Sequence, residues 1–389
     1  MDAPSNLGLL HFLDEVLDPR SRHGRQHPLS AGLALACCAI MCGSRSYAAI
    51  GQWAHDQDIA FMHRLGFTRR PPKSGGIRKV LMALSPAALE AALTRWAEAL
   101  LGQIPAEDEG LLAPFALDGK SVRGSFDGLN KAVHLLSLVA HRSGLTVAQA
   151  KVPDGAKDKT NEHKAALQLL SGLVLEGRLI TGDAIFCQRD LSRQIVDSGG
   201  HYLWVVKDNQ PALPADIRAA FAPGAVEALS PPAAALWLEA IDTATTLEKG
   251  HGRTERRTST ATTALNGYLD WPGVGQVGRI DSVVLRDGKR TTETRHFITS
   301  VPRSMAGAEE LLRWSRGHWT IENRSHHVRD VSLGEDASRI RKGFGPEVFA
   351  ALRNLALGLI RSTGSTNIAG AMRRNASRIS DLFATLGIF

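Results

Sequence analysis

Three carboxylates, each in a different sequence context, are the residues of this chain best suited to chemistry. Asp118 closes the apolar run of "FALDGKSVRGS", Asp183 stands inside "LITGDAIFCQ", and Glu322 lies in the basic stretch "RGHWTIENRSHHVRDVSLGEDASRIRKG", residues 316–343. Carboxylate oxygens are the ligands that Mg²⁺ prefers, and two such ions can activate the attacking and leaving oxygens of a phosphodiester. Arginine, lysine and histidine are the residues that hold nucleic-acid phosphates. Together these residue types indicate phosphoryl transfer on DNA with Mg²⁺ or Mn²⁺, with two ions expected.

Each acid also has an ordinary structural explanation. Asp118 could be a strand-ending aspartate at a turn, and Glu322 could be a surface glutamate in a salt bridge. Asp183 is harder to explain in this way, because a carboxylate inside an apolar strand is costly without a cation or strong donors. The combination is more informative than its parts, since two strand aspartates and a glutamate on a late helix can converge on one metal site.

The stretch around Glu322 predicts a helix with one polar and one apolar stripe. The polar residues recur at steps of four, three and four: His318, Glu322, Ser325 and Arg329. The apolar residues recur every seven positions and would face a core: Trp314, Ile321 and Val328. An α-helix would align each set on one face.

The elements that must position these acids change in character along the chain. Residues 1–105 are rich in Ala and Leu at helical spacing and are expected to be helical, with Ser85-Pro86 starting a helix. From residue 110 to 222, three short apolar runs are followed by a helix, a strand, a helix and a strand, which predicts a mixed α/β fold with a mixed sheet covered by helices. Residues 223–300 are rich in Thr and Gly and predict a β-rich insertion. Residues 301–365 are helical and include the Glu322 helix, and residues 366–389 form a helical tail.

Composition narrows the class of protein only partly. The chain has 389 residues, 43% of them hydrophobic, which is enough for two or three domains. A net charge of +7 is compatible with a polyanionic partner but is weak evidence for one. The longest early apolar run, "LSAGLALACCAIMCG", is too short to cross a bilayer, and the first residues lack the basic start of a secretory signal, so we expect a cytoplasmic protein without a membrane partner.

Cysteines, a glycine motif and two histidines could suggest further binding sites, but each set has a simpler explanation. Cys37, Cys38 and Cys42 lie in one apolar helix and no Cys-x-x-Cys occurs, so core packing is favoured over a zinc site for these residues and for Cys187. "GVGQVG", residues 273–278, fits a dinucleotide-binding pattern but precedes a strand-like run rather than a helix. The adjacent histidines 326 and 327 would point about 100° apart on a helix and are not expected to share a metal.

Motifs spread along almost the whole chain carry a resemblance to a known family. They are "DPRSRHGRQHPLSAGLALACCAIMCGSRSYAAIGQWA", "LDGKSVRGS", "HLLSLVAHRSGLTVAQAKV", "KTNEHKAALQLL", "TGDAIFCQ", "YLWVVKDNQ", "HGRTERR", "HWTIENRSHHVRDVSLGEDASRIRKG" and "LRNLALGLIR". In this order they resemble DDE-type transposases of bacterial insertion sequences, in the H-repeat-associated subgroup. The resemblance implies a ribonuclease H-like core with a β-rich insertion before the third acid, and a catalytic, metal-binding triad of Asp118, Asp183 and Glu322.

The surroundings of the third acid depart from the wider cut-and-paste group. That group has a Tyr-x2-Arg-x3-Glu-x6-Lys pattern, and here its positions hold Ser315, His318, Glu322 and Arg329. His318 and Arg329 can still donate to phosphate, whereas Ser315 cannot stack on a base as tyrosine could.

A set of basic and amide residues is predicted to contact DNA: Lys120, Arg123, Lys207, Asn209, Arg253, Arg316, His318 and Arg329. The N-terminal helical region is expected to recognise terminal repeats, with the "SGGIRKVL" helix as its DNA-contacting element. Glu335 and Asp336 are expected to form salt bridges with Arg339 and Arg341 rather than to bind metal. The stretch "HGRTERR", residues 251–257, is predicted to be a DNA-contact loop in the β-rich insertion, and a solvated run of surface charge is an equal alternative.

The family mechanism implies cleavage at the ends of a mobile element, followed by attack of the freed 3′-hydroxyl on target DNA. Because two ends must be joined, the resemblance also implies a dimer on DNA. Two alternatives stay open at the level of sequence. One is a nuclease of the same fold without strand transfer, and the other is a catalytically silent or repurposed DNA-binding relative.

Overall fold

The structure is a computed structural model, and it describes residues 8–103, 112–154, 161–208, 210, 212–250 and 252–387. The chain divides into two compact units. The helical unit comprises Met1–Asp108, Gly119–Pro153 and Thr320–Phe389, and the sheet unit comprises Glu109–Asp118 and Asp154–Trp319. The chain therefore passes from one unit to the other within a strand, directly after Asp118.

Fifteen α-helices are described: α1 (Leu9–Asp14), α2 (Leu29–Met41), α3 (Tyr47–Asp56), α4 (Ile59–Arg64), α5 (Ser74–Ala83), α6 (Pro86–Leu101), α7 (Asn161–Ser171), α8 (Arg189–Asp197), α9 (Ala212–Ala220), α10 (Pro231–Ala240), α11 (Ala308–Gly317), α12 (His327–Val331), α13 (Gly345–Ser362), α14 (Ile368–Ser377) and α15 (Asp381–Leu386). Nine strands are described: β1 (Ala113–Val122), β2 (Val133–Ala140), β3 (Thr146–Lys151), β4 (Arg178–Gly182), β5 (His201–Val206), β6 (Ile241–Gly250), β7 (Arg253–Thr262), β8 (Gln276–Arg286) and β9 (Lys289–Thr299).

The helical unit is built around α2, whose sequence is apolar on every face. All its residues except Gly32 are buried, which is the expected position of a helix without a polar side. The long helix α13 packs against α2, and the predicted cysteines lie in this core, with Cys37 and Cys38 fully buried. Ser85 accepts a hydrogen bond from the Ala88 backbone N–H, so the predicted start of α6 is confirmed.

The sheet unit contains one mixed sheet with the strand order β1-β4-β5-β9-β8-β7-β6. Strands β1, β4 and β5 run parallel, and the remaining neighbours pair in antiparallel fashion. The parallel strands are apolar and mostly buried, as expected where helices cover a sheet. The mixed α/β class predicted from the sequence is confirmed.

Two further sequence-based expectations can be compared with the fold. Strand β8 begins at Gln276, directly after the first residues of "GVGQVG", so no helix follows this glycine motif and it is not a dinucleotide-binding turn. Among the described residues, no helix has both the length and the apolar composition needed to cross a membrane.

Candidate active site

Asp118 and Asp183 occupy equivalent positions on neighbouring strands of the sheet unit. Asp118 lies inside β1, which continues to Val122, and Asp183 directly follows β4, so the expected strand end at Asp118 and the expected place of Asp183 inside a strand are both wrong. In the parallel pairing of β1 with β4, Leu117 lies opposite Gly182, and each aspartate is the next residue in the chain. Neighbouring strands lie about 4.8 Å apart, so the register places the two residues side by side at the carboxyl end of β4. Both residues are half-buried. The two aspartates singled out by sequence are therefore neighbours in the fold.

Gly182 allows the chain to pass closely beside aromatic side chains immediately before Asp183. A Cβ atom at this position would lie 2.7 Å from Cζ3 of Trp204 and 3.0 Å from the Phe186 ring. After the strand, Oδ1 of Asp183 accepts a hydrogen bond from the Ile185 backbone N–H at 2.9 Å. The close packing before Asp183 and the turn after it fix the direction of its side chain.

The electrostatic environment of Asp183 disfavours its charge. Burial raises the pKa of its carboxyl group and Glu162 raises it further, whereas the Ile185 N–H and the positive charge of Lys207 act in the opposite direction. The net effect is a raised pKa, so the protein's own groups do not fully compensate for the buried charge. A cation bound at the carboxylate would provide the missing compensation.

His318, predicted to donate to phosphate, contacts strand β4 through Thr181. Its Nδ1 is 3.1 Å from Oγ1 of Thr181, and the Thr181 hydroxyl donates to the Phe115 carbonyl oxygen, so His318 Nδ1–H is the donor in this contact. Burial lowers the pKa of His318 to about 4, which keeps the ring neutral at neutral pH. Nδ1 of His318 is thus already engaged inside the protein, and the DNA contact at His318 stays a prediction.

Glu322 lies in a π-helical segment, Ile321–His326, between α11 and α12. The predicted regular α-helix is therefore wrong in this stretch, because the wider π turn breaks the 3.6-residue period on which the polar stripe depended. The Glu322 side chain is 53% exposed, whereas Ser325 and Arg329 are completely buried, so these residues do not share one face. The predicted core positions Trp314 and Ile321 are buried as expected.

His326 is the residue near Glu322 that the sequence analysis did not identify as part of the site. Its Nδ1 lies 3.2 Å from Oε2 of Glu322, and its side chain is only 3% exposed. Burial, reinforced by the charges of Arg329 and Lys120, lowers the pKa of His326 to about 3, so its ring is neutral. The four-residue spacing from Glu322 was the signal available in the sequence.

Arg329 is a structural residue, and its predicted DNA contact is wrong. It is fully buried and its guanidinium group lies 2.7 Å from Glu335, which also contacts Arg353 at 3.2 Å. Gln149 and Asn354 accept further hydrogen bonds from Arg329 at 3.2 and 3.3 Å. We call Arg329, Glu335 and Arg353 the buried triad. Glu335 does form salt bridges, as predicted, but its partners come from α12 and α13 rather than from Arg339 and Arg341.

The other residues predicted to contact DNA differ in how exposed they are and in whether they pair with an acid of the protein. Lys120 is largely buried and paired with Asp330 at 2.6 Å, so its charge is already neutralised by the protein. Arg123 is 81% exposed, and Lys207 is exposed at the end of β5. Arg253 and Arg316 are partly exposed and paired with Glu255 and Glu248, respectively. Asn209 lies outside the described residues.

Comparison with known proteins identifies the family of the chain. The family described as "Transposase DDE domain" matches residues 112–359, and the one described as "DDE_Tnp_1-associated" matches residues 10–97. The Escherichia coli O157:H7 protein "Putative transposase YncI" is 29% identical over 382 residues, covering 96% of this chain and 91% of that protein. "H repeat-associated putative transposase YhhI" of E. coli K12 is 27% identical over 363 residues, covering 90% of each chain.

A solved structure, the synaptic complex of piggyBac transposase with hairpin DNA, aligns with 92% of this chain and 72% of that chain at 8% identity. The TM-score of 0.39 is too low to establish a shared fold. The family match is independent of that alignment and spans well over half of the chain, including all three predicted acids. The chain therefore belongs to the DDE transposases, in the group that includes the H-repeat-associated proteins.

Proposed function

We propose that this protein is a DNA transposase that cuts the ends of its element and joins them to target DNA. Hydrolysis breaks a P–O bond at each element end and leaves a 3′-hydroxyl group. That hydroxyl then attacks a target phosphodiester in line, forming a new P–O bond and releasing the target's own 3′-oxygen. No covalent bond between protein and DNA is needed at either step. The observation that carries the proposal is the equivalent position of Asp118 and Asp183 on adjacent parallel strands.

A ribonuclease H-like core is part of the proposal. Three strands, β1 to β3, are followed by α7, β4, α8 and β5, and the long antiparallel region β6–β9 comes before the segment that carries Glu322. This chain order is the one expected of such a core with a β-rich insertion before the third acid. Family membership supports the same assignment, because the matched region includes the core strands, the insertion and Glu322.

The donor set fits a hard divalent cation. Asp118, Asp183 and Glu322 would hold Mg²⁺ or Mn²⁺ through carboxylate oxygens, and the raised pKa of Asp183 indicates a carboxylate that lacks full compensation by the protein. Two bound ions would supply Lewis-acid stabilisation of the attacking and leaving oxygens. The carboxylates would set the position of the reacting phosphate, while exposed cations such as Lys207 and Arg123 would hold the flanking phosphates.

DNA is the proposed partner, with the protein acting in the cytoplasm at the nucleoid as a dimer on two element ends. Helix α5 is the proposed element of terminal-repeat recognition. Ile77 and Leu81 are buried on one side of this helix, whereas Arg78 and Lys79 are exposed. An amphipathic helix with cations on its outer side can lie against the DNA backbone.

The decisive experiment incubates the full-length protein with DNA fragments that carry the flanks of its own gene, a supercoiled target plasmid and Mg²⁺. We expect nicks or breaks at the element ends and covalent joining of the ends to the plasmid. Asp183→Asn should abolish both products while keeping the circular dichroism spectrum and the thermal midpoint of the natural protein.

The outcomes separate the alternatives. Cleavage without joined product would favour a nuclease that lacks strand transfer. Specific binding of the flanks without cleavage, in either Mg²⁺ or Mn²⁺, would favour a silent DNA-binding relative. Full activity of Asp183→Asn would refute the assignment of the site.

A further inference from the structure

We propose that His326 supplies a nitrogen ligand, through Nδ1, to the divalent ion that Glu322 holds. The inference rests on the proposed function, because it concerns the same metal site. It adds to the three carboxylates a fourth side chain of a different chemical type, and it concerns the residues of one short segment within the helical unit.

The distance between the two side chains suits two ligands of one ion. His326 Nδ1 and Glu322 Oε2 are 3.2 Å apart. Ligand atoms about 2.1 Å from an octahedral ion are separated by about 3.0 Å when they occupy neighbouring positions. The observed separation thus needs little adjustment to become an edge of a coordination octahedron.

The backbone of this segment brings the two groups together and holds one of them still. Glu322 and His326 are four residues apart in the π-helical segment, so their side chains lie on successive turns of the same side. The imidazole is 3% exposed and the carboxylate is 53% exposed. The buried ring is therefore the rigid ligand, and the exposed carboxylate is the one that can adjust to the ion.

The charges around the ring do not prevent cation binding. The two cations that act on His326 are Lys120, which is paired with Asp330, and Arg329, which is paired with Glu335. Each positive charge is thus largely compensated within the helical unit.

A nitrogen ligand predicts a specific metal preference. Mg²⁺ prefers oxygen ligands almost exclusively, whereas Mn²⁺ accepts imidazole nitrogen together with carboxylates. The site should therefore bind Mn²⁺ more tightly than Mg²⁺, and His326 should account for much of the difference.

The test is pulsed electron paramagnetic resonance on the full-length protein loaded with Mn²⁺ alone. We expect modulation from a directly coordinated ¹⁴N nucleus, which changes to the ¹⁵N pattern when the protein is made with ¹⁵N-histidine. His326→Gln, which offers an oxygen in place of the nitrogen, should remove this signal and raise the Mn²⁺ dissociation constant about 10-fold or more. The Mg²⁺ dissociation constant should rise less.

His327→Gln is the matched control, since His327 is the exposed neighbour of His326. It should keep both the nitrogen signal and the Mn²⁺ affinity. The wild-type spectrum shows whether any histidine coordinates the ion, and the comparison of the two variants, each checked for the circular dichroism spectrum of the natural protein, assigns that ligand to His326.

The results distinguish this inference from the proposed function. Mn²⁺ that binds, and is lost in Asp183→Asn, but shows no histidine nitrogen would overturn the role of His326 and leave the carboxylate site intact. A nitrogen signal that persists in His326→Gln would also overturn it. Mn²⁺ binding that is unchanged in both Asp183→Asn and Glu322→Gln would overturn the proposed site together with this inference.

Discussion

Two acids of this protein, the half-buried Asp183 in the sheet unit and the fully buried Glu335 in the helical unit, have pKa values shifted in opposite directions by their surroundings. Burial would raise the pKa of Glu335, but Arg329 and Arg353 outweigh it and hold the pKa below its usual value. Asp183 has one backbone N–H and the charge of Lys207, and its pKa remains raised. A carboxylate that already has two guanidinium partners stabilises the fold, whereas one without sufficient compensation is suited to bind a cation. The difference separates a structural acid from a functional one in a chain rich in both.

The largest expected effect is that of Asp183→Asn, which tests whether Asp183 is the functional acid. Asp183→Asn should reduce end cleavage by about 10³-fold or more, which corresponds to about 4 kcal/mol of transition-state stabilisation. Its thermal midpoint at pH 7 should be equal to or above that of the natural protein, because a raised pKa means that the ionised group destabilises the fold. Quantitative cleavage assays and thermal denaturation measure the two effects. A large loss of stability would contradict the proposed distinction.

Glu335→Gln tests whether Glu335 is a structural acid that stabilises the fold. Removing the shared anion leaves two buried guanidinium groups without their counter-charge, so the free energy of unfolding should fall by about 3–5 kcal/mol. Urea denaturation measures the change. Asp336→Asn, at the neighbouring and more exposed acid, is the matched control and should cost less than about 1 kcal/mol.

Gly182→Ala sharpens the comparison by changing the position of Asp183 without removing it. The added methyl group would contact Trp204 at 2.7 Å, so we expect a loss of about 1–3 kcal/mol of stability through overpacking. Activity should fall by more than the stability loss explains, because the adjacent carboxylate is displaced. Gly250→Ala, at a strand glycine without a positive φ where a Cβ meets no atom within 4 Å, controls for the backbone effect of replacing glycine. Equal activity in both variants would refute a positioning role for Gly182.

Glu90 is a third acid in this series, and it predicts a pH dependence of stability. It accepts a hydrogen bond from Gln149 at 2.8 Å, and burial raises its pKa to about 8. The folded state therefore holds this proton more tightly than the unfolded chain, so Glu90 contributes stability at low pH that is lost as the pH rises through about 8. Between pH 6 and 8 the contribution to the free energy of unfolding should fall by about 1–2 kcal/mol.

Glu90→Gln removes the titrating group and should flatten this part of the pH profile, as measured by urea denaturation at several pH values. Glu98→Gln, on the same helix, is the control and should leave the slope unchanged. An identical slope in Glu90→Gln and the natural protein would contradict the assignment.

The smallest effect concerns a surface pair. Arg316 is paired with Glu248 on the sheet unit, and both side chains are partly exposed. Arg316→Ala should change stability by about 0–1 kcal/mol, but it should weaken DNA binding and reduce the slope of log affinity against log salt by about 1. Glu248→Gln should strengthen DNA binding by releasing the guanidinium group. DNA binding is measured across a series of salt concentrations. If both variants bind DNA as the natural protein does, the predicted contact between Arg316 and DNA is wrong.

Much of the fold follows from local patterns. The apolar helix α2, the Ser85 cap of α6 and the short apolar strands carry their structural signals in adjacent residues, and these predictions agree with the structure. The polar stripe around Glu322 predicted a single helix face, and this prediction was wrong for a physical reason. Its period assumed regular α-helical geometry, whereas the backbone takes a π-helical turn at Ile321–His326.

The partners of charged residues could not be predicted in the same way. Arg329 and His318 have ordinary polar side chains, and nothing local distinguishes them from the exposed Arg123. Arg329 is buried because Glu335 and residues from distant elements surround it, and His318 is paired with Thr181, which lies far from it in the sequence. Such contacts join residues up to about two hundred positions apart, beyond the range of any local pattern.

The sequence by itself determined the residue types, the order of the elements and the family, because these depend on side-chain chemistry and short-range periodicity. Tertiary structure alone decided which charges are neutralised and which are not, because the cost of burying a charge depends on the groups that packing brings beside it. Two carboxylates of the same chemistry, Asp183 and Glu335, thus have opposite electrostatic environments only after the chain has folded.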